Sequence, residues 1–70
     1  MRAETAGDVL RRIMTPVNRS TVWLRGALRR RGHEKSSAGV RAALYRLKAE
    51  GFVAAYRGKG KGSPILWRRA

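Results

Sequence analysis

Residues 37–50 constrain this chain more than any other stretch. At about 100° per residue, Val40, Ala43, Leu44 and Leu47 fall on one side of a helix. Ala38, Arg41, Ala42 and Tyr45 fall on the other, with Arg46 and Lys48 on the flanks. Ser36 or Ser37 stands where a helix needs a hydroxyl to accept from its free N–H groups, and Gly51 stands where the apolar stripe stops. Phe52 and Val53 follow at once, and both favour extended chain. The pattern predicts an amphipathic helix over 37–50 that is stopped by glycine and passes directly into a strand.

The rest of the chain is punctuated in the same way. Thr5 with Asp8 three residues on has the spacing of a capping pair, and Val9, Leu10, Ile13 and Met14 share a helical face, so a helix is expected over about 5–14. Pro16 ends it, and Val17 to Arg19 read as a short extended piece. Ser20 caps a second helix over about 20–31, with Leu24, Ala27 and Leu28 inside and Gly32 as its stop. Its last turn holds Arg29, Arg30 and Arg31, where cations complement the helix dipole. The tail predicts a β-hairpin over about 52–68, with strands 52–57 and 65–68 around a glycine-alternating loop. An isolated hairpin is marginal in water, so Val53, Ala55, Ile65 and Trp67 are expected to pack it on the helices.

Seventy residues make one domain, 1–70, with a thin core. Apolar residues are 43% of the chain, enough for a folded protein. Charge is the other strong signal: Lys and Arg number 17 against 4 Asp and Glu, a formal net charge of +13. Like charge of that size repels itself in a compact state unless a polyanion neutralises it. Nucleic acid is the first candidate. Arginine dominates, and guanidinium forks suit bidentate contacts to phosphate and guanine, although codon bias in a GC-rich genome would also enrich arginine.

Three helices followed by a hairpin, in a small basic chain, resemble the winged helix-turn-helix family of DNA-binding domains. The stretch Ser37-Ala38-Gly39-Val40-Arg41-Ala42-Ala43-Leu44-Tyr45-Arg46-Leu47-Lys48-Ala49-Glu50-Gly51-Phe52-Val53 looks like that family's recognition helix and first wing strand. Leu24 and Leu28 fit the helix before it. The resemblance spans roughly residues 5–68 and implies an α+β fold, a three-helix winged helix-turn-helix with a C-terminal two-stranded β-hairpin wing. The segment 30–36 is longer than the tight turn of the simplest helix-turn-helix units.

The resemblance implies that the exposed face of the third helix enters a DNA major groove, which admits one α-helix. Ser36, Ser37, Ala38, Arg41, Ala42, Tyr45, Arg46 and Lys48 are the candidate DNA-binding residues there. Arg41 suits guanine, the serines suit a phosphate, and Ala38 and Ala42 permit close approach or touch a thymine methyl. Arg57, Lys59 and Lys61, alternating with Gly58, Gly60 and Gly62, are candidates to follow the backbone or enter a minor groove. Arg19, Arg25, Arg29, Arg30, Arg31, Lys35 and Arg68 are candidate phosphate contacts, with Arg69 beside them; such contacts position a protein without reading sequence. The plain alternative for each is a solvated surface charge, and for the serines a cap alone. Trp23 and Trp67 are expected in the core, Trp23 half-buried at the edge of its stripe, with a dimer contact as the alternative.

No cysteine is present, so disulfides and thiolate metal sites are excluded. His33 is the only histidine and reads as loop; no metal or cofactor is expected. The four carboxylates form no acid–base pair and no Ser-His-acid arrangement is suggested, so the expectation is a binding protein and not an enzyme, with no small-molecule substrate. Residues 1–16 lack the apolar core of a signal peptide, Glu4 and Asp8 argue against a transit peptide, and no stretch suits a membrane span. A cytoplasmic place follows, on the nucleoid if the source is prokaryotic or phage. The function expected is double-stranded DNA binding by a small transcriptional regulator or architectural factor, as a monomer or as a homodimer formed on DNA. An RNA-binding or ribosome-associated protein and a phage-type module for an acidic protein partner stand as alternatives.

Overall fold

The computed structural model describes residues 4–60 and 62–70. Three helices and a three-stranded antiparallel sheet run in the order α1 (Ala6–Ile13), β1 (Arg19–Ser20), α2 (Thr21–Arg30), α3 (Ser37–Ala49), β2 (Val53–Arg57) and β3 (Ile65–Arg69). Each helix begins where a side-chain oxygen can accept from its first free N–H groups. The Thr5 hydroxyl accepts from the Asp8 backbone and the Asp8 carboxylate from the Thr5 backbone, a reciprocal capping box. Ser20 accepts from the Trp23 N–H and Ser36 from the Gly39 N–H, both at 3.1 Å. The bounds expected for the first two helices, one residue wider at each end, and for the third, one residue wider at its C-terminal end, thus resolve into helix plus caps.

The second and third helices stop in the same way. Gly32 and Gly51 take positive φ, +83° and +81°, which a side chain would resist. Beyond each, the chain turns back on its helix: His33 N–H donates to Leu28 C=O and Phe52 N–H to Leu47 C=O, both at 2.9 Å. The bonds Gly32 to Arg29 and Gly51 to Lys48 complete two Schellman turns. The second of these aims the chain from α3 into the sheet within three residues.

The sheet departs from the expected two-stranded hairpin: it has three strands in the order β1-β3-β2, so β3 is central. β1 pairs Arg19 with Trp67 and Ser20 with Leu66. Two residues are too short to show any alternation in sequence, so only the ladder to β3 defines them as a strand. β2 and β3 pair from Val53↔Arg69 to Arg57↔Ile65. β3 extends one residue beyond the predicted end, where Arg69 N–H donates to Thr15 C=O and Ala70 N–H to Phe52 C=O.

The core gathers one apolar face from each helix: Val9 and Leu10 from α1, Leu24 and Leu28 from α2, Val40, Leu44 and Leu47 from α3. Val53 and Trp67 close it from the sheet, with Ile65 packed half-buried beside them. Each such side chain contributes roughly 1.5–3 kcal/mol through burial. Ala55 is a correction. It shares a face with its ladder partner Trp67 but is exposed, because its single methyl is too short to reach the helix layer. Among the described residues no helix is long and apolar enough to cross a membrane.

Candidate nucleic-acid interface

The outer face of α3 is a ridge of small side chains. Ala38, Ala42 and Ala49 are exposed and recur at helical spacing with Tyr45 among them. Tyr45 is 46% exposed, and its ring meets the buried Trp67 indole edge-on, 5.1 Å between centroids at 88°. Lys48 lies over the same ring, its Nζ 5.9 Å from the centroid. The platform beneath α3 therefore fixes where Tyr45 projects.

Notches lie on either side of that ridge. One, of about 350 Å³, is bounded by the starts of α2 and α3 and by the hairpin, and brings Ser37, Arg41 and Arg57 together with Thr21, Val22 and Ile65. Arg57 reaches it because alternation places its side chain on the helix-facing side of β2, opposite Ile65. The other, of about 390 Å³, lies between α1 and α3 and is lined by Lys35, Ala42 and Arg46 with Arg11 and Glu50. The candidate residues of α3 thus divide: Ser37 and Arg41 line one notch, and Ala42 and Arg46 the other.

The charges are segregated. Glu4 pairs with Arg12, Glu50 with Arg11, and Glu34 lies 3.6 Å from Arg29. Asp8 belongs to the α1 capping box. All four carboxylates of the chain are therefore engaged on α1, at the end of α3 or in the α2–α3 turn. Among the described residues Arg41, Arg46, Arg57, Lys59 and Arg68 meet no carboxylate.

The arginines of α2 and its C-cap also make contacts within the chain. The Arg25 Nε–H donates to the Lys35 carbonyl at 2.9 Å and bridges to the segment before α3. Arg31 donates to the Ala27 carbonyl at 3.1 Å, closing the end of its own helix. Of these contacts, the Arg25 bond crosses to the segment before α3, and Arg29 forms an exposed pair with Glu34 in the turn. Arg30 is exposed, with no such contact among the described residues. Arg19 lies over Trp23, its Cζ 4.2 Å from the ring centroid. Trp23, expected at the edge of the core, is 40% exposed, since the arginine and not the core covers one face of its ring. Trp67 is fully buried as expected.

Ser36 is spent as an acceptor for its helix. In the hairpin loop, Gly60 takes φ of +122° and Gly62 of +85°, and the Ser63 hydroxyl donates to the Lys59 carbonyl at 3.3 Å. Lys59 is exposed on this loop; Lys61 lies outside the described residues. Sequence reasoning missed Thr21, Val22 and Ser63 as lining residues of the first notch. Only the Ser20 cap hinted that α2 begins there.

Fold and charge together define a small, strongly basic α+β domain with three helices and a three-stranded antiparallel sheet. No protein-family model matches the chain, and no curated protein matches it either.

Proposed function

We propose that this chain binds double-stranded DNA as a winged helix-turn-helix domain, in the role of a small transcriptional regulator or architectural factor. In this reading α3 enters the major groove and the β2–β3 hairpin is the wing, its basic loop following the backbone or a minor groove. The observation that carries the proposal is the segregation of charge around α3. A row of exposed alanines is flanked by Arg41 and Arg46, which form no ion pair among the described residues, while Glu4, Glu34 and Glu50 lie against other arginines. A groove lined with phosphates is the complement of that surface, and Arg41 beside the ridge suits guanine O6 and N7.

The test is fluorescence anisotropy with labelled duplex DNA, single-stranded DNA and hairpin RNA over a salt series, alongside Arg41→Ala and Lys59→Ala. Duplex preference is expected, with log affinity falling against log salt by about 0.9 per neutralised phosphate and both variants weakened. Tighter binding to the hairpin RNA would move the reading to RNA, which the exposed rings of Tyr45 and Tyr56 favour through stacking on unpaired bases. Weak binding to all three, unaffected by either substitution, sinks the nucleic-acid reading and points to an acidic protein.

A further inference from the structure

We infer that the notch between α2, α3 and the hairpin is a phosphodiester subsite, in which the Thr21 hydroxyl, set by the buried Trp67 indole, donates beside Arg41 and Arg57. The inference rests on the DNA reading for the source of the phosphate, but the site itself is built from contacts within the chain.

The first observation is electrostatic. The notch is lined by two arginines and, among the described residues, by no carboxylate. Neither Arg41 nor Arg57 has an anionic partner among the described residues, and two cations that share one cavity repel each other until an anion sits between them. The chain's acids are committed elsewhere, so that anion comes from outside.

The second observation is the hydrogen-bond state of Thr21. Its Oγ1 accepts from Trp67 Nε1–H at 3.0 Å, a bond between residues 46 positions apart. A hydroxyl has one proton to donate and lone pairs to accept with. With the indole occupying the acceptor side, the proton of Thr21 is left to donate, and accepting one bond strengthens the bond it donates. Trp67 is fully buried, so the threonine is held in place from below. Thr21 belongs to the lining of the notch with Arg41 and Arg57, which makes it a held neutral donor beside two charged ones.

The third observation is the apolar wall. Val22 is 73% exposed and stands in the notch with Ile65. Simple anions gain nothing from such a wall. A phosphodiester does, because the sugar attached to the phosphate presents carbon-bound hydrogens to it. The cavity's mixed lining therefore suits a nucleotide backbone unit better than a free carboxylate or a metal.

The experiment is a pair of titrations on 15N-labelled full chain. Inorganic phosphate at low salt is expected to move the Trp67 indole N–H and the Thr21 and Ser37 amides along one saturating curve. A short duplex is expected to move the same signals at far lower concentration. Thr21→Val is expected to weaken both by about tenfold to a hundredfold, the loss of one hydrogen bond to a charged acceptor, and Thr21→Ser to restore them. Because Thr21→Val also leaves the Trp67 N–H without its acceptor, Arg57→Gln, on an exposed strand position, is the second variant; it is expected to weaken phosphate binding without lowering the melting temperature. Phosphate shifts that never saturate or that scatter over other basic residues overturn the subsite, as does indifference to both variants. Duplex binding that needs Arg41 but ignores Thr21 and Arg57 overturns the subsite and leaves the DNA reading standing. Saturable phosphate binding at Thr21 with no duplex binding overturns the DNA reading and leaves the subsite.

Discussion

On α1, Arg11 and Arg12 each meet a carboxylate, Glu50 and Glu4; on α3, Arg41 and Arg46 meet none among the described residues. The residue type is the same and all four side chains are exposed. The difference lies in what the fold brings opposite them. Arg11 reaches across from α1 to the end of α3 and also lies over the Phe52 ring, 5.3 Å from its centroid, so it ties α1, α3 and the start of β2 together. Arg41 stands beside a cavity whose other cation is Arg57. A matched arginine fastens the fold, while an unmatched one leaves a field for something else to neutralise. A count of basic residues cannot separate the two kinds.

The comparison can be broken at several points, in descending order of effect. Trp67→Ala removes the floor beneath both Thr21 and Tyr45 and should cost about 3–5 kcal/mol of stability, measured by urea unfolding. If the midpoint barely moves, the hairpin is an appendage and not the support of the unmatched face. Arg41→Ala should cost about 1–3 kcal/mol in duplex affinity with an unchanged melting temperature. Arg12→Ala should leave duplex affinity as it is. Equal losses from the two would erase the distinction between matched and unmatched arginines. Ser36→Ala removes the cap of α3 and should lower stability by about 1 kcal/mol, read by thermal melting; it weakens DNA binding only as far as the helix frays, so a large affinity loss without a melting change would make Ser36 a direct contact. Arg11→Ala and Arg12→Ala should each cost about 0.2–1 kcal/mol of stability, less at high salt, because both pairs are exposed. The larger loss is expected for Arg11, which keeps the Phe52 contact as well; an effect of Arg12 exceeding that of Arg11 contradicts the role given to the Arg11 bridge.

Much of the fold was legible in the chain. The helices stood out because each carries three agreeing signals: a hydroxyl cap, an apolar stripe and a stop, which is Pro16 after α1 and a glycine after α2 and α3. The hairpin was legible from Gly51 onward for the same reason. The third strand was not, because two residues carry no periodicity and β1 exists only through its ladder to β3. Ala55 followed the alternation correctly and still missed the core, since alternation assigns a face and says nothing of reach. Of the arginines on α2, three turned out to hold the backbone or a neighbouring acid. Their partners lie between four and ten positions away, around a turn whose path the sequence does not specify.

Local chemistry therefore determined where the helices start and stop, which of their faces is apolar, and that the whole carries a large positive charge. Those properties depend on neighbours within one or two turns, and a sequence displays such neighbours directly. Tertiary structure alone decided which cations remain without a partner, that Arg41 and Arg57 share one cavity, and that the Thr21 hydroxyl accepts from an indole 46 residues away. Those depend on packing α2, α3 and the sheet around one tryptophan, where position in space and not separation along the chain sets which groups meet.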